Sequence, residues 1–431
     1  MGFIARFSDL VWSPPVIGAF LAAGIFVSIK TGFIQLCFAR WIKGMTLSES
    51  GGEGKVSPWK AAATALGGAL GTGNISGVAW AVALGGPGAI FWMWVSALVG
   101  MALSYAEKVL TLMHIKNNAG GAVGGAMCYI EKALGKKAGV FYCIVCLLAL
   151  YTGGCMTQSS AMCSSLSALV SIDMPVLGLL AALAVFTVSR GGIERTSRVS
   201  AVLVSAVSVL YIVVGGAALW QARQSIGSVF ATIVRSAFDI SPTAAGISAF
   251  SAMRYGFARG IFSSEAGVGS ATIPHASAKN SPHGQGCWGI FEVFLDTAVI
   301  CTLTGLIILS SPFSSSALTG EKLTTAAFSS LLGSLAPDFI ALCITVLAFS
   351  TLISKAWCAR QCINYLHPIK GTGIAADVCF ALFALSGAIL PARALWDASD
   401  ALNLLLALPN LTALCLFSKE LSLSKDSKAL K

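Results

Sequence analysis

Eleven long apolar runs divide the chain, and they limit what it can fold into more than any other feature. They lie at about 14–36, 58–83, 86–112, 138–166, 172–189, 199–221, 243–278, 286–311, 337–366, 373–391 and 400–418. Each is about the length of a bilayer crossing, which takes roughly 20 helical residues. The runs are continuous, not short and alternating, which argues against a transmembrane barrel. Composition agrees. Hydrophobic residues make up 56% of the 431 and charged residues 11%. A soluble domain carries roughly 25% charged residues, so an ordinary soluble enzyme is excluded. Disorder is excluded too, because it needs low hydrophobicity and high charge. The expected class is an all-α polytopic membrane protein.

The formal net charge of +10 would hint at nucleic acid in a soluble protein. Here it reads as cytoplasmic loop charge, and no nucleic-acid partner is expected. Twenty of the 28 Lys and Arg residues fall in one set of loops, among them Lys43, Lys60, Lys108, Lys116, Lys136, Arg195, Arg360 and the tail lysines. Five fall on the other side: Arg6, Arg223, Arg235, Lys322 and Arg393. Positive charge gathers in the cytoplasm, so the N-terminus is expected outside and the C-terminus inside the cell membrane. The 13 cysteines lie almost all in apolar runs and read as small hydrophobes. Cys143-x-x-Cys146 sits in such a run, against a metal or redox role. No cleavable signal peptide is evident before the first run.

Two runs carry interruptions. The second reads Thr64-Ala-Leu-Gly-Gly-Ala-Leu-Gly-Thr-Gly-Asn-Ile75, with glycines at 67, 68, 71 and 73 beside Thr72 and Asn74. Close helix packing through small residues would explain the glycines, but not Asn74. Unwound backbone at membrane depth is tolerated where it lines a site. The seventh run carries Arg259-Gly-Ile-Phe-Ser-Ser-Glu-Ala-Gly-Val-Gly-Ser270, where glycines again accompany Ser263, Ser264 and Glu265. The interruptions are five runs apart. The expected organisation is therefore an accessory helix and loop (1–57), two five-helix halves of opposite orientation (58–221 and 222–418), and a cytoplasmic tail (419–431). Matched interruptions in inverted repeats point to a transporter site. Half-helix N-terminal ends suit a carboxylate, and C-terminal ends suit an ammonium or sodium ion. A membrane enzyme is disfavoured, because the four histidines show no metal spacing and no Gly-x-Ser-x-Gly elbow appears. A channel also uses broken helices, but inverted halves favour alternating access.

The chain resembles the alanine or glycine:cation symporter family. The resemblance rests on Gly71-Thr-Gly-Asn-Ile-Ser-Gly-Val-Ala79, Ala83-Leu-Gly-Gly-Pro-Gly-Ala89, Phe91-Trp-Met-Trp94, Tyr129-Ile-Glu-Lys132, Arg254-Tyr-Gly-Phe-Ala-Arg-Gly260, Phe262-Ser-Ser-Glu-Ala-Gly267, Phe291-Glu-Val-Phe-Leu-Asp-Thr297, Ala348-Phe-Ser-Thr351 and Ala407-Leu-Pro-Asn410. It implies a leucine-transporter-like fold of about eleven transmembrane helices: two inverted five-helix repeats and an extra N-terminal helix. It also implies uptake of small neutral amino acids, usually with sodium, and no resident cofactor. On that pattern Gly71, Thr72, Gly73 and Asn74 hold the substrate carboxylate, with Gln158, Ser263, Ser264 and Thr351 in the pocket. Carbonyls of Gly67, Leu70 and Leu347 and hydroxyls of Ser350 and Thr351 match the fold's sodium site, a set of hard oxygen ligands.

One position departs from the family. Lys355 stands where the family usually has tryptophan, one turn after Thr351 on the same helix face. It is read either as part of the pocket or as snorkelling to the cytoplasmic interface. In the pocket it would pair with a second substrate carboxylate, replace sodium, or couple transport to protons. The remaining intramembrane charges balance: Arg254, Arg259 and Lys355 against Glu265, Glu292 and Asp296. Such groups are usually paired, and Glu292 and Asp296, four residues apart, suggest a shared partner. Glu107 reads as a loop anchor.

Overall fold

The computed structural model describes residues 12–46, 54–119, 121–240, 248–314, 316–369, 371–390 and 392–422. Arg6, Lys370, Lys425, Lys428, Lys431 and the start of the seventh run lie outside them. The chain opens with α1 (Pro14–Lys30) and the amphipathic α2 (Phe38–Thr46). The second run then forms two half-helices, α3 (Pro58–Ala69) and α4 (Ser76–Gly85). Ser57 caps α3, its side chain accepting from the Lys60 N–H, and Pro58 takes the first helical position, where its missing N–H costs nothing. Next come α5 (Gly88–Met113), a two-stranded hairpin (β1 Lys116–Asn118, β2 Gly121–Val123), α6 (Ala126–Leu134) and α7 (Lys136–Tyr151). A π-turn over Thr152–Met156 leads into α8 (Thr157–Leu169). The helices α9 (Met174–Ser189) and α10 (Gly192–Gln221) follow.

A short helix that the apolar pattern did not announce, α11 (Ile226–Phe238), precedes the seventh run. That run is helical only as α12 (Ala249–Ser264), and continues as tight turns over Ser270–Thr272 and Pro274–Ser277. The eighth forms α13 (Pro282–Val293), a π-helix over Phe294–Cys301, and α14 (Thr302–Ser310). A second unannounced helix, α15 (Gly320–Leu332), leads to α16 (Ala336–Leu366), an unbroken helix about 46 Å long. The ninth run is thus helical throughout, without a break. The chain finishes with α17 (Thr372–Gly387), α18 (Ala392–Leu416) and α19 (Ser418–Ser422).

Among the described residues, five helical stretches are long and apolar enough to cross a membrane: Gly88–Met113, Lys136–Leu169, Gly192–Gln221, Pro282–Ser310 and Gly320–Leu366. Other apolar helices, including α1, α9, α17 and the end of α18, are shorter. Val202, Val209 and Val213 on α10 and Leu179, Leu180 and Leu183 on α9 are exposed. On a soluble surface such patches would be liabilities; on a membrane protein they are the lipid face. The helix α5 packs along α12 and α13, and α16 lies against α8, α10 and α3. The first set carries the break after Ser264, and the second faces the break after Ala69.

Candidate substrate and cation site

The helix α3 stops because Leu70 turns extended (ψ 94°) and Thr72–Asn74 form a single 3-10 turn. Side chains hold the released backbone. The Gly71 N–H donates to Asn74 Oδ1 at 3.2 Å, and the Thr72 N–H to Gln158 Oε1 at 3.2 Å. Two of the N–H groups expected to meet a carboxylate are therefore satisfied internally in this conformation. Gln158 reaches the break because the π-turn at Thr152–Met156 inserts an extra residue just before it, a frequent device at functional sites.

The second break has a conformational cause. Glu265 (φ 52°), Gly267 (φ 82°) and Gly269 (φ 87°) all adopt left-handed backbone. Glycine does so freely, while a glutamate pays about 1–3 kcal/mol. Three contacts hold the segment. Glu265 Oε1 accepts from Lys355 Nζ, Glu265 Oε2 accepts from Ser270 Oγ at 2.6 Å, and the Gly267 N–H donates to Glu107 Oε1 at 2.9 Å. Glu107 also accepts from Asn410 Nδ2 at 2.7 Å. Glu107 does anchor a non-helical segment, but from a fully buried position.

Asp296 ties the two breaks together. Its carboxylate accepts from Asn74 Nδ2 at 2.8 Å, Ser263 Oγ at 2.8 Å and Thr297 Oγ1 at 2.7 Å. The π-helix over Phe294–Cys301 gives this stretch a wider turn and aims Asp296 at the breaks. Glu292, one turn earlier, faces another cluster. The expected shared partner is therefore absent. Ser264, expected in the pocket, instead donates to the carbonyl of Gly260 on its own helix.

The oxygens matched to a sodium site converge. Thr351 Oγ1 lies 3.0 Å from the carbonyl of Gly67, 3.3 Å from that of Leu70 and 3.0 Å from that of Leu347. A hydroxyl has one proton, so it satisfies only one of the three at a time. Ser350 Oγ is buried without a hydrogen-bond partner. The Leu347 carbonyl also takes the Thr351 N–H within its own helix, but those of Gly67 and Leu70 lie at the open end of α3, and with the Ser350 hydroxyl beside them this oxygen cluster fits a small hard cation.

Beside it lies a cavity of about 40 Å³, lined by residues that include Gly68, Gly73, Gln158, Ser263, Glu265, Thr351, Lys355, Ser399 and Asn403. Lys355 is 3% exposed and turns into this cavity, which overturns the snorkelling reading. Its stem runs past Gly68 and Gly154. A larger cavity, of about 480 Å³, is lined by residues that include Thr72, Thr157 and Glu321. Further along α16 another, of about 590 Å³, is lined by Trp357 and Gln361. Ser270, Ser399 and Asn403 were not singled out in the sequence. The last two are four residues apart in an apolar run, a polar signal that could have been read.

The balanced set of six charges does not assemble as one network. Lys355 pairs with Glu265. Glu292 instead lies 3.6 Å from Lys108 and 2.7 Å from His275 Nε2. Asp296 takes neutral donors. The Arg254 and Arg259 guanidiniums lie over the rings of Tyr255 and Phe262, at 5.4 and 5.3 Å. Lys108, the neighbour of Glu107 and counted with the cytoplasmic loops, is 1% exposed.

Known proteins carry the same pattern. The chain matches the model of the sodium:alanine symporter family over residues 1–426. It is 35% identical over 429 residues to the sodium/alanine symporter AgcS of Methanococcus maripaludis, covering 95% of this chain and 93% of that protein. It is 33% identical to the probable sodium/glutamine symporter GlnT of Bacillus subtilis, covering 96% and 87%. Among solved structures, MhsT in complex with L-phenylalanine superimposes with a TM-score of 0.61 at 15% identity, covering 84% of this chain and 89% of that one. A Na+-coupled sialic acid symporter gives 0.54 at 15% identity, covering 89% and 82%. These likenesses show the leucine-transporter-like fold. Two broken helices around a polar cavity, a converging oxygen cluster and a family match along nearly the whole chain make this protein a member of the sodium:alanine symporter family, a membrane transporter and not an enzyme.

Proposed function

We propose that the protein takes up small amino acids by sodium symport, with alternating access around the two breaks. The observation that carries the reading is the oxygen cluster at Thr351: the Gly67 and Leu70 carbonyls at the open end of α3 and the Leu347 carbonyl converge on one hydroxyl, beside a Ser350 Oγ with no hydrogen-bond partner among the described residues. Gly67, Leu70, Leu347, Ser350 and Thr351 would hold the sodium ion. Gly71–Asn74, Gln158 and Ser263 would face the amino acid. Larger cavities, one at Thr72 and Glu321 and one further along α16 at Trp357 and Gln361, suit a site reached in turn by two routes. Lys355 favours sodium over a built-in cation, because Glu265 already neutralises its charge. Relatives named as sodium/alanine and probable sodium/glutamine symporters support the ion and the substrate class. The repeats would span 58–221 and 222–418 in the cell membrane, with the N-terminus outside and the C-terminus cytoplasmic.

The test is amino-acid uptake into proteoliposomes with sodium or choline outside. Sodium-driven accumulation is expected, with sodium affinity lowered at least about tenfold in Thr351→Val, which removes one ligand oxygen. Equal uptake in choline overturns the coupling.

A further inference from the structure

Resting on the proposed amino-acid site, we infer that the preferred substrates carry a side-chain carboxamide, read by the Lys355–Glu265 pair. An ammonium has three donors. Lys355 Nζ spends one on Glu265 Oε1, its single hydrogen bond among the described residues. Two N–H groups of a side chain 4% exposed remain, in a residue that lines the cavity. A carboxylate offers about four lone-pair sites. Glu265 uses one for Lys355 and one for Ser270. The pair thus presents spare donors and spare acceptors side by side.

A carboxamide complements both: its carbonyl accepts from Lys355 and its NH₂ donates to Glu265. A second carboxylate would satisfy Lys355 but oppose Glu265, adding uncompensated charge at a buried site. A side-chain ammonium would do the reverse. A methyl group, as in alanine, would leave both charged groups with unmet hydrogen bonds, and unmet buried polar groups are what make a site selective. The pair is already neutral, so a neutral side chain keeps it so.

The surroundings suit this use. A methyl group at Gly154 would stand 2.9 Å from Lys355 Cγ, and one at Gly68 would stand 3.4 Å from Cε. Glycines therefore make the channel in which the lysine stem lies. The cavity of about 40 Å³ has room for about three waters, the size of a carboxamide group. Glu265 holds strained left-handed backbone at the same point, which aims its carboxylate across the break at Lys355.

The experiment measures affinities of purified full-length protein for L-asparagine, L-glutamine, L-alanine and L-aspartate in sodium, by thermal shift. The wild type should bind asparagine or glutamine at least about tenfold more tightly than alanine, the scale of a hydrogen bond to a charged group, and aspartate least. The amide-to-alanine affinity ratio should fall by about tenfold in Lys355→Met. Because Lys355→Met leaves Glu265 unpaired, the double variant Lys355→Met/Glu265→Gln is measured as well, and the same fall is expected. Alanine bound as tightly as the amides overturns the inference and leaves the proposed function standing. So does aspartate bound most tightly, or an amide preference untouched in both variants. Failure of every amino acid to bind in sodium overturns both.

Discussion

Two buried ion clusters sit within a few turns of each other and have opposite characters. At the cavity, Lys355 and Glu265 form a lone pair with hydrogen-bonding capacity unspent. Deeper, Lys108 meets three neighbours: Ser104 Oγ at 2.8 Å, Glu292 Oε2 at 3.6 Å and Glu107 Oε2 at 3.7 Å. One contact is a hydrogen bond and two are ion pairs, so this lysine is held by two carboxylates at once where Lys355 has one. A chain of contacts that starts at the backbone also fixes the orientation of this second cluster. The Ser281 N–H donates to Asn280 Oδ1 at 2.9 Å, so Asn280 presents its Nδ2 to Gln285 Oε1 at 2.8 Å. Gln285 Nε2 must then donate to His275 Nδ1 at 2.6 Å. An imidazole that accepts at Nδ1 is neutral and carries its proton on Nε2, which faces Glu292 Oε1 at 2.7 Å. The contrast lies in surroundings: Lys355 and Glu265 line a cavity, while Lys108 and Glu292 are packed among the side chains of Ser104, Glu107 and His275. A cluster packed between helices ties them together; one that borders a cavity can receive something.

The sharpest way to break this contrast is to remove the central cation from each cluster. Lys108→Met strands Glu107 and Glu292 with no cation, and such losses cost about 3–5 kcal/mol. Thermal unfolding in detergent should show a large drop or no folded protein; a Tm near that of wild type would deny the cluster its structural role. Lys355→Met should cost less, about 1 kcal/mol, because Glu265 borders the cavity and remains partly solvated. If it destabilises as much as Lys108→Met, the two clusters do not differ in kind. Gln285→Ala leaves His275 Nδ1 without its donor and should cost about 1–3 kcal/mol; no change in unfolding would break the chain of orientations. Gly154→Ala is the mildest change. Its methyl group crowds the Lys355 stem, so stability should hold while amide selectivity shifts by a few-fold, read from the same affinity series.

Much of the site was legible because broken helices leave a local signature. Glycine beside Asn74 and Ser263 marked both interruptions, and the family pattern gathered Gly67, Leu70 and Leu347, whose carbonyl oxygens the structure places within 3.3 Å of Thr351 Oγ1. Partnership was less legible. Spacing put Glu292 and Asp296 on one face, as an α-helix would, but the π-helix that begins at Phe294 separates them. Gln158 acquires its reach from another π-turn, which no periodicity announces. Lys108 was read as loop charge because its position near a helix end says nothing about what covers it.

The sequence by itself determined the membrane class, the two points of helix failure and the residue types gathered there. Those properties are local or compositional: hydrophobic length, backbone freedom at glycine, and polarity within an apolar run. Tertiary structure alone decided which charge meets which. A lysine stem can point either way along its helix. Only the packing of α16 against the break after Ser264 and the π-turn at Gly154 turned Lys355 inward, because those neighbours supply both the space for its stem and the carboxylate that meets its charge.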